Sequence, residues 1–249
     1  PLPPPSPDGP LFESAMVHQK VGDFAQAQAL FERLLAEHPQ SPHAEASLFW
    51  TGFDLATLGE DRKALDALAR LVARWPSGAY ADDAYFKAYE IHARGDHDAD
   101  RDHAREDLEN LLARFPDSAL AVETYLGLAC LAEANGDLEG AVGQYRKALE
   151  KTPAQPGNLK DWIGKLERFG AASRDRTARF LAGRHRFKMG RFAEALTRLE
   201  EAAAGSATDA IAQESLYYAG LCQVHLSRWP RALALFRNLA EKAGDPDLR

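Results

Sequence analysis

Residues 136–153 read GDLEGAVGQYRKALEKTP: a glycine and an acidic residue, then Ala141, Tyr145 one turn later, and Pro153. The phrase recurs as Gly22-Asp23-Phe24 with Ala27, Phe31 and Pro39, as Gly59-Glu60 with Ala64, Leu68 and Pro76, and as Gly95-Asp96 with Ala104, Leu108 and Pro116. In each copy the alanine stands 12 residues before the proline. A fixed internal period signifies one small unit stacked on copies of itself. Each part of the phrase has a physical task. Glycine offers the positive φ that ends a helix, and the acidic residue suits the positive end of the next helix dipole. Alanine lets two helices approach, the larger residue one turn on fills their seam, and proline stops the second helix. Upstream of the glycines lie apolar runs with helical spacing, such as Leu48, Gly52, Leu55, Leu58 and Tyr125, Leu128, Ala129, Leu131. The unit is a helical hairpin, and the chain is expected to be an all-α solenoid.

The phrase resembles the tetratricopeptide (TPR) repeat, whose pattern ends in Ala-x-x-x-Phe and then Pro. Two weaker copies follow: Gly190-Arg191-Phe192 with Ala195 and Leu199, and Ser227-Arg228-Trp229 with Ala232 and Phe236. The six copies predict a superhelix of antiparallel helix pairs. The proline-to-proline intervals of 37, 40 and 37 residues exceed the usual period of about 34, so the helices are expected to be longer. Pro39-Gln40-Ser41 and Pro116-Asp117-Ser118 offer serine as an N-cap for the helix that follows. Long repeats joined by Pro-x-Ser look like bacterial envelope TPR proteins of the YbgF and BamD type. That resemblance implies a periplasmic or outer-membrane-associated location, with the cytoplasm as the alternative.

Residues 1–10, PLPPPSPDGP, read as a proline-rich tether, of the kind that follows a cleaved signal or a lipid anchor in envelope proteins. Residues 11–153 form a first block of four repeats and residues 173–249 a second block of two. Between them, residues 154–172 break the rhythm with an extra amphipathic helix, Asn158 to Gly170, carrying Trp162, Ile163, Leu166 and Phe169 at helical spacing. That makes about thirteen helices, two per repeat plus one. A chain of 249 residues that is 45% hydrophobic can bury a continuous core. No apolar run approaches the length of a membrane span. Cys130 and Cys222 lie in first helices two repeats apart, too distant to pair.

Charge divides the chain. Residues 1–153 hold 14 Lys/Arg against 26 Asp/Glu, and residues 154–249 hold 16 against 11. The basic excess lies between Lys160 and Arg191, with Arg168, Arg174, Arg176, Arg179 and Arg186 as a candidate docking surface for an acidic segment. A solvated, locally paired face is the plainer reading. Nucleic acid or anionic lipid comes third, against an acidic overall charge and without an accompanying motif. Residues 94–107, RGDHDADRDHARED, alternate carboxylates as a calcium loop does. Arg101 replaces the required glycine and Asp107 the bidentate glutamate, so the stretch reads as an enlarged turn and no metal site is assigned. Nucleotide-binding glycine loops, zincin motifs, nucleophile elbows and Cys-x-x-Cys pairs are missing, so neither a catalytic residue nor a cofactor is predicted.

The TPR resemblance implies a concave surface lined by first helices. Its usual positions map onto Phe12, Met16, Phe49, Phe53, Tyr85, Tyr89, His92, Leu126, Cys130, Phe180, Arg184, Phe187, Tyr217, Leu221 and His225. The partner-binding candidates among them are Phe49, Phe53, Tyr85, Tyr89, His92, Phe180, Arg184, Phe187 and Tyr217, because aromatic anchors dominate many interfaces. The alternative is that these rings pack between neighbouring helices. The expected function is a non-catalytic scaffold holding a partner's peptide or helix in a cell-envelope assembly. A permanent subunit of a larger complex is the second reading, and a regulatory or nucleic-acid-associated protein using residues 160–191 the third.

Overall fold

Glycine at the end of the first helix behaves as the phrase requires in four copies: Gly22, Gly59, Gly136 and Gly190 take φ of 81°, 79°, 72° and 74°. In the computed structural model, which describes residues 8–95, 97–152, 158–204 and 209–242, the chain forms thirteen helices and no strand among those residues. They fall into two units, residues 1–124 and 125–249. The division lies inside the seventh helix. The sequence-based block boundary at Pro153 concerns repeat rhythm, and Pro153 itself lies outside the described residues.

The first unit contains α1 (Asp8–Lys20), α2 (Phe24–Glu37), α3 (Ala44–Thr57), α4 (Asp61–Arg74), α5 (Ala81–His92) and α6 (Asp98–Arg114). From α1 to α6, each helix packs on its successor within the unit. Residues 1–7 of the expected tether lie outside the described residues, while Asp8, Gly9 and Pro10 open α1, with the proline in the first turn where its missing N–H costs nothing. Polar bonds across successive repeats stitch the stack. Tyr80 N–H donates to Glu45 Oε1 at 2.7 Å, Ser118 Oγ to Asp82 Oδ2 at 2.6 Å, and Arg94 to the Ala56 carbonyl at 3.2 Å.

The second unit runs from within α7 (Ala121–Ala134) through α8 (Leu138–Lys151), α9 (Leu159–Ala172), α10 (Arg174–Lys188), α11 (Phe192–Ala203), α12 (Ala210–His225) and α13 (Trp229–Lys242). The extra helix is α9. Its Ile163, Leu166 and Phe169 are buried in one cluster with Tyr145, Phe180 and Leu199. Ser173 caps α9 and α10 together: its N–H donates to the Phe169 carbonyl at 3.1 Å, and its hydroxyl accepts from Arg176 N–H at 3.4 Å.

The phrase alanines Ala27, Ala64, Ala104, Ala141, Ala195 and Ala232 are all buried. Opposite three of the large residues stands a glycine 16 positions earlier. A Cβ on Gly52, Gly183 or Gly220 would come within 2.9, 2.8 or 2.6 Å of Leu68, Leu199 or Phe236. Asp23 and Asp137 cap α2 and α8 through their side chains, accepting from Gln26 and Gly140 N–H. Ser41 and Ser118 do not act as N-caps. Their hydroxyls accept from His43 and Leu120 N–H two residues on, so each forms a tight turn before its helix begins at Ala44 or Ala121.

The weak sixth copy replaces glycine by Ser227, which still takes a φ of 58°. A side chain in that left-handed region costs about 1–2 kcal/mol. Ser227→Gly is therefore expected to raise stability by about 1 kcal/mol in a denaturant titration, and a neutral or destabilising result would show that the turn is not strained.

Candidate partner-binding surfaces

In the first unit the predicted aromatic row splits by depth. Phe49 is buried, 5.2 Å from the Tyr80 ring and stacked on it; it is core. Phe53 is half-buried, with Trp50 edge-on at 5.4 Å and Lys87 Nζ over its face at 4.4 Å. Lys87 belongs to α5, so that contact sets Phe53 beside the next first helix. Tyr85 and Tyr89 are half-buried as well, Tyr85 under Arg114 at 5.9 Å and Tyr89 against Phe86 at 5.4 Å. Tyr89, Phe86 and Glu90 line an open depression of about 440 Å³. His92 turns inward instead. Its Nδ1 lies 2.7 Å from Asp107 Oδ2, and its ring lies 5.1 Å from His103.

That pairing accounts for part of the acidic insert. Asp100 accepts from His97 N–H at 3.1 Å in a capping box at the start of α6, and Asp102 pairs with Arg105 at 2.5 Å. Burial raises the Asp107 pKa and the His92 contact pulls it back. Asp96 and the side chain of Asp98 lie outside the described residues.

The candidates of the second unit are largely internal. Phe180 is fully buried against Phe169, and Phe187 is half-buried among Phe192, Tyr218 and His225. Arg184 reaches a carboxylate that the sequence reading missed, Glu133 of α7, which has no exposed surface. Arg184 Nη1 lies 2.7 and 2.8 Å from the two Glu133 oxygens. Tyr145 O–H donates to Glu133 at 2.7 Å, Trp162 Nε1–H at 3.1 Å and Lys188 Nζ at 3.4 Å. The guanidinium also lies 3.7 Å over the Trp162 ring. Burial alone lowers an arginine pKa, but the facing carboxylate and the Tyr218 hydroxyl leave that of Arg184 raised. Burial and the same carboxylate raise the Tyr145 pKa. Glu133 thus joins α7, α8, α9 and α10 in one buried knot. It interrupts the apolar run LGLACLAEA, four residues after buried Ala129, and that register is the signal that marks it.

The basic stretch is mostly neutralised. Arg174 pairs with Glu139 at 3.0 Å, Arg179 with Asp175 at 2.9 Å and Arg186 with Glu194 at 3.6 Å. Arg176 donates to Asp209 at 3.1 Å and to the Ala202 carbonyl at 2.9 Å; this arginine holds the Asp209 carboxyl below its usual range. Arg168 is exposed and makes no ion pair among the described residues. It stands at the rim of an apolar cavity of about 540 Å³ lined by Phe169, Tyr217, Phe236, Leu239 and Ala240. Tyr217, alone of the second-unit aromatic candidates, is broadly open, with 47% of its surface exposed.

One further buried acid sits in the first unit. Asp54 of α3 has no exposed surface, and neither carboxylate oxygen has a hydrogen-bond partner among the described residues. Burial pushes its pKa up to about 7. Cys130 and Cys222 are both free thiols. Among the described residues no helix is long and apolar enough to cross a membrane.

Comparison with known proteins agrees with the architecture. The tetratricopeptide repeat family matches residues 12–79 and 98–156, and residues 161–249 match the N-terminal domain of the ESX-1 secretion system protein EccA1. Photosystem I assembly protein Ycf3 of Synechococcus sp. (strain CC9605) is 32% identical over 109 residues, which are 43% of this chain and 62% of that relative. A tetratricopeptide repeat protein from Parabacteroides merdae ATCC 43184 superposes with a TM-score of 0.56 at 15% identity, over 97% of this chain and 95% of that one. PilW, a widely conserved type IV pilus biogenesis factor, gives 0.50 at 14% identity over 97% and 96% of the two chains. At such identities the superpositions speak for the fold alone, whereas the family match spans half the sequence. The chain belongs to the tetratricopeptide repeat family.

Proposed function

We propose that this protein is a non-catalytic scaffold that holds a helix or extended peptide of a partner on the first-helix face of its first unit. The observation that carries this reading is the row Phe53, Tyr85 and Tyr89. These half-exposed rings stand on neighbouring helices α3 and α5, beside the depression at Phe86 and Glu90. Rigid aromatic rings on helices give large contact area at small entropic cost, which is how interface anchors work. The resemblance to Ycf3, named as an assembly protein, supports a role in building a multi-protein complex. Placement of that complex in a bacterial envelope rests on the long repeat spacing and the proline-rich start.

The test is capture of partners from the native extract by the tagged chain, with identification by mass spectrometry and affinity measured on the purified pair. Phe53→Ala and Tyr89→Ala are each expected to weaken binding by about 2 kcal/mol while the melting temperature stays close to wild type. Early unfolding with unchanged affinity would make the rings core and remove this surface from consideration.

A further inference from the structure

In five of the six repeat pairs the large residue of the phrase and the position three residues on are closed over: Phe31 and Leu34, Leu68 and Leu71, Leu108 and Leu111, Tyr145 and Ala148, Leu199 and Ala202 are all buried. The last pair breaks this rule. Phe236 and Leu239 of α13 occupy the same register and are only half-buried. The first helix repeats the contrast. Phe49, Phe180 and Tyr217 each stand three residues before the glycine that meets the seam; the first two are buried, and Tyr217 is open. The reason is positional. Helices α2, α4 and α11 each pack against a helix on both sides, whereas the extensive helix neighbour of α13 among the described residues is α12. The cavity between α9, α12 and α13 is left open by the described helices, and its apolar wall suits the stripe of an amphipathic helix.

Its charge selects the kind of helix. Lys165 on its wall is already paired with Glu214. Arg168 projects at the rim without an ion pair among the described residues, so the unmatched charge there is positive. We infer that this cavity docks an amphipathic helix of a partner protein, one with an apolar stripe for Phe236, Leu239 and Tyr217 and an acidic flank for Arg168. A second copy of this chain fits less well, because its own α13 exposes Arg231 and Arg237, charges of the same sign as Arg168. The wall supplied by α9 makes the site specific to this chain, since α9 is the helix that the repeat pattern does not contain. The inference rests on the scaffold reading but uses a different unit and different residues.

The probe is a synthetic helical peptide with leucines along one stripe and glutamates on its flanks, beside a version with lysines in place of the glutamates. Binding to the full chain is followed by fluorescence anisotropy. The acidic peptide is expected to bind saturably and about fivefold or more tighter than the basic one. Arg168→Glu, on the surface, should invert that preference. Tyr217→Ser should weaken both peptides, and Phe53→Ala in the other unit should change neither. Equal binding of the two peptides, a preference untouched by Arg168→Glu, or no saturable binding would each overturn the inference. So would self-association, seen in sedimentation, that Tyr217→Ser abolishes, because the occupant would then be a second copy. If the peptide responds to Phe53→Ala instead, this site fails while the scaffold reading stands; if the intact chain captures no partner at all, the scaffold reading fails with it.

Discussion

Glu133→Ala is expected to cost about 3–5 kcal/mol of folding stability, the range for breaking a buried ion pair by removing one partner. The loss is large because the substitution leaves the Arg184 guanidinium enclosed between Trp162 and Tyr218 with no counter-charge. It also strips the acceptor from the Tyr145 hydroxyl and the Trp162 N–H, and an orphaned buried donor costs about 1–3 kcal/mol. The paired replacement Glu133→Leu with Arg184→Met removes both charges, and it should recover most of what the single variant loses. Urea titration of the three proteins reads the cycle directly. Exposed pairs such as Arg174–Glu139 should give no more than about 1 kcal/mol and fade with salt, whereas the buried pair should persist. A Glu133→Ala protein within about 1 kcal/mol of wild type would mean that water or rearranged side chains satisfy Arg184.

Acid should stabilise the first unit through Asp54. The ordinary carboxyl value, about 3.9, applies to the unfolded chain, and the folded value is about 7. The folded state therefore holds the proton more tightly. The burial penalty is absent below the unfolded value, grows as pH rises, and is complete above the folded value. Between about pH 5 and about pH 8, wild type should lose roughly 2–3 kcal/mol relative to Asp54→Asn. The comparison with the asparagine variant cancels the titration of other groups, including the His92–Asp107 contact. Parallel stability curves for the two proteins would place a counter-charge or water at Asp54.

The sequence announced the hairpins because their determinants are local. Six buried alanines and four glycines at positive φ follow from a phrase that spans one turn and one helix. The extra helix was legible for the same reason: the spacing of Trp162, Ile163, Leu166 and Phe169 predicts Asn158 to Gly170, and α9 covers Leu159–Ala172. Gly95 departs from the other phrase glycines and is not at positive φ. Four extra residues before Ala104 let the chain turn by way of the capping box at His97 instead.

Surface and core were harder to separate, because exposure depends on neighbours far along the chain. Phe49 and Tyr217 hold the same register, yet the first lies under Tyr80 and the second under nothing comparable. Charge counting is blind to pairing for the same reason. Arg174, Arg176 and Arg184 look like a basic patch in sequence, but their partners Glu139, Asp209 and Glu133 stand 33 to 51 residues away. Neither Asp54 nor Glu133 carries a motif. What distinguishes each is an acid placed on an apolar helix face.

The cap shared at Ser173 has a consequence for cooperativity. Where two helices meet through a flexible loop, one can fray while the other holds. Here the last turn of α9 and the first turn of α10 draw on the backbone and hydroxyl of one residue. The two ends close together or open together, so amide protons near Phe169 and Arg176 would exchange with solvent as a single kinetic class. The helix that interrupts the repeats is thereby enlisted into the cooperative unit it interrupts.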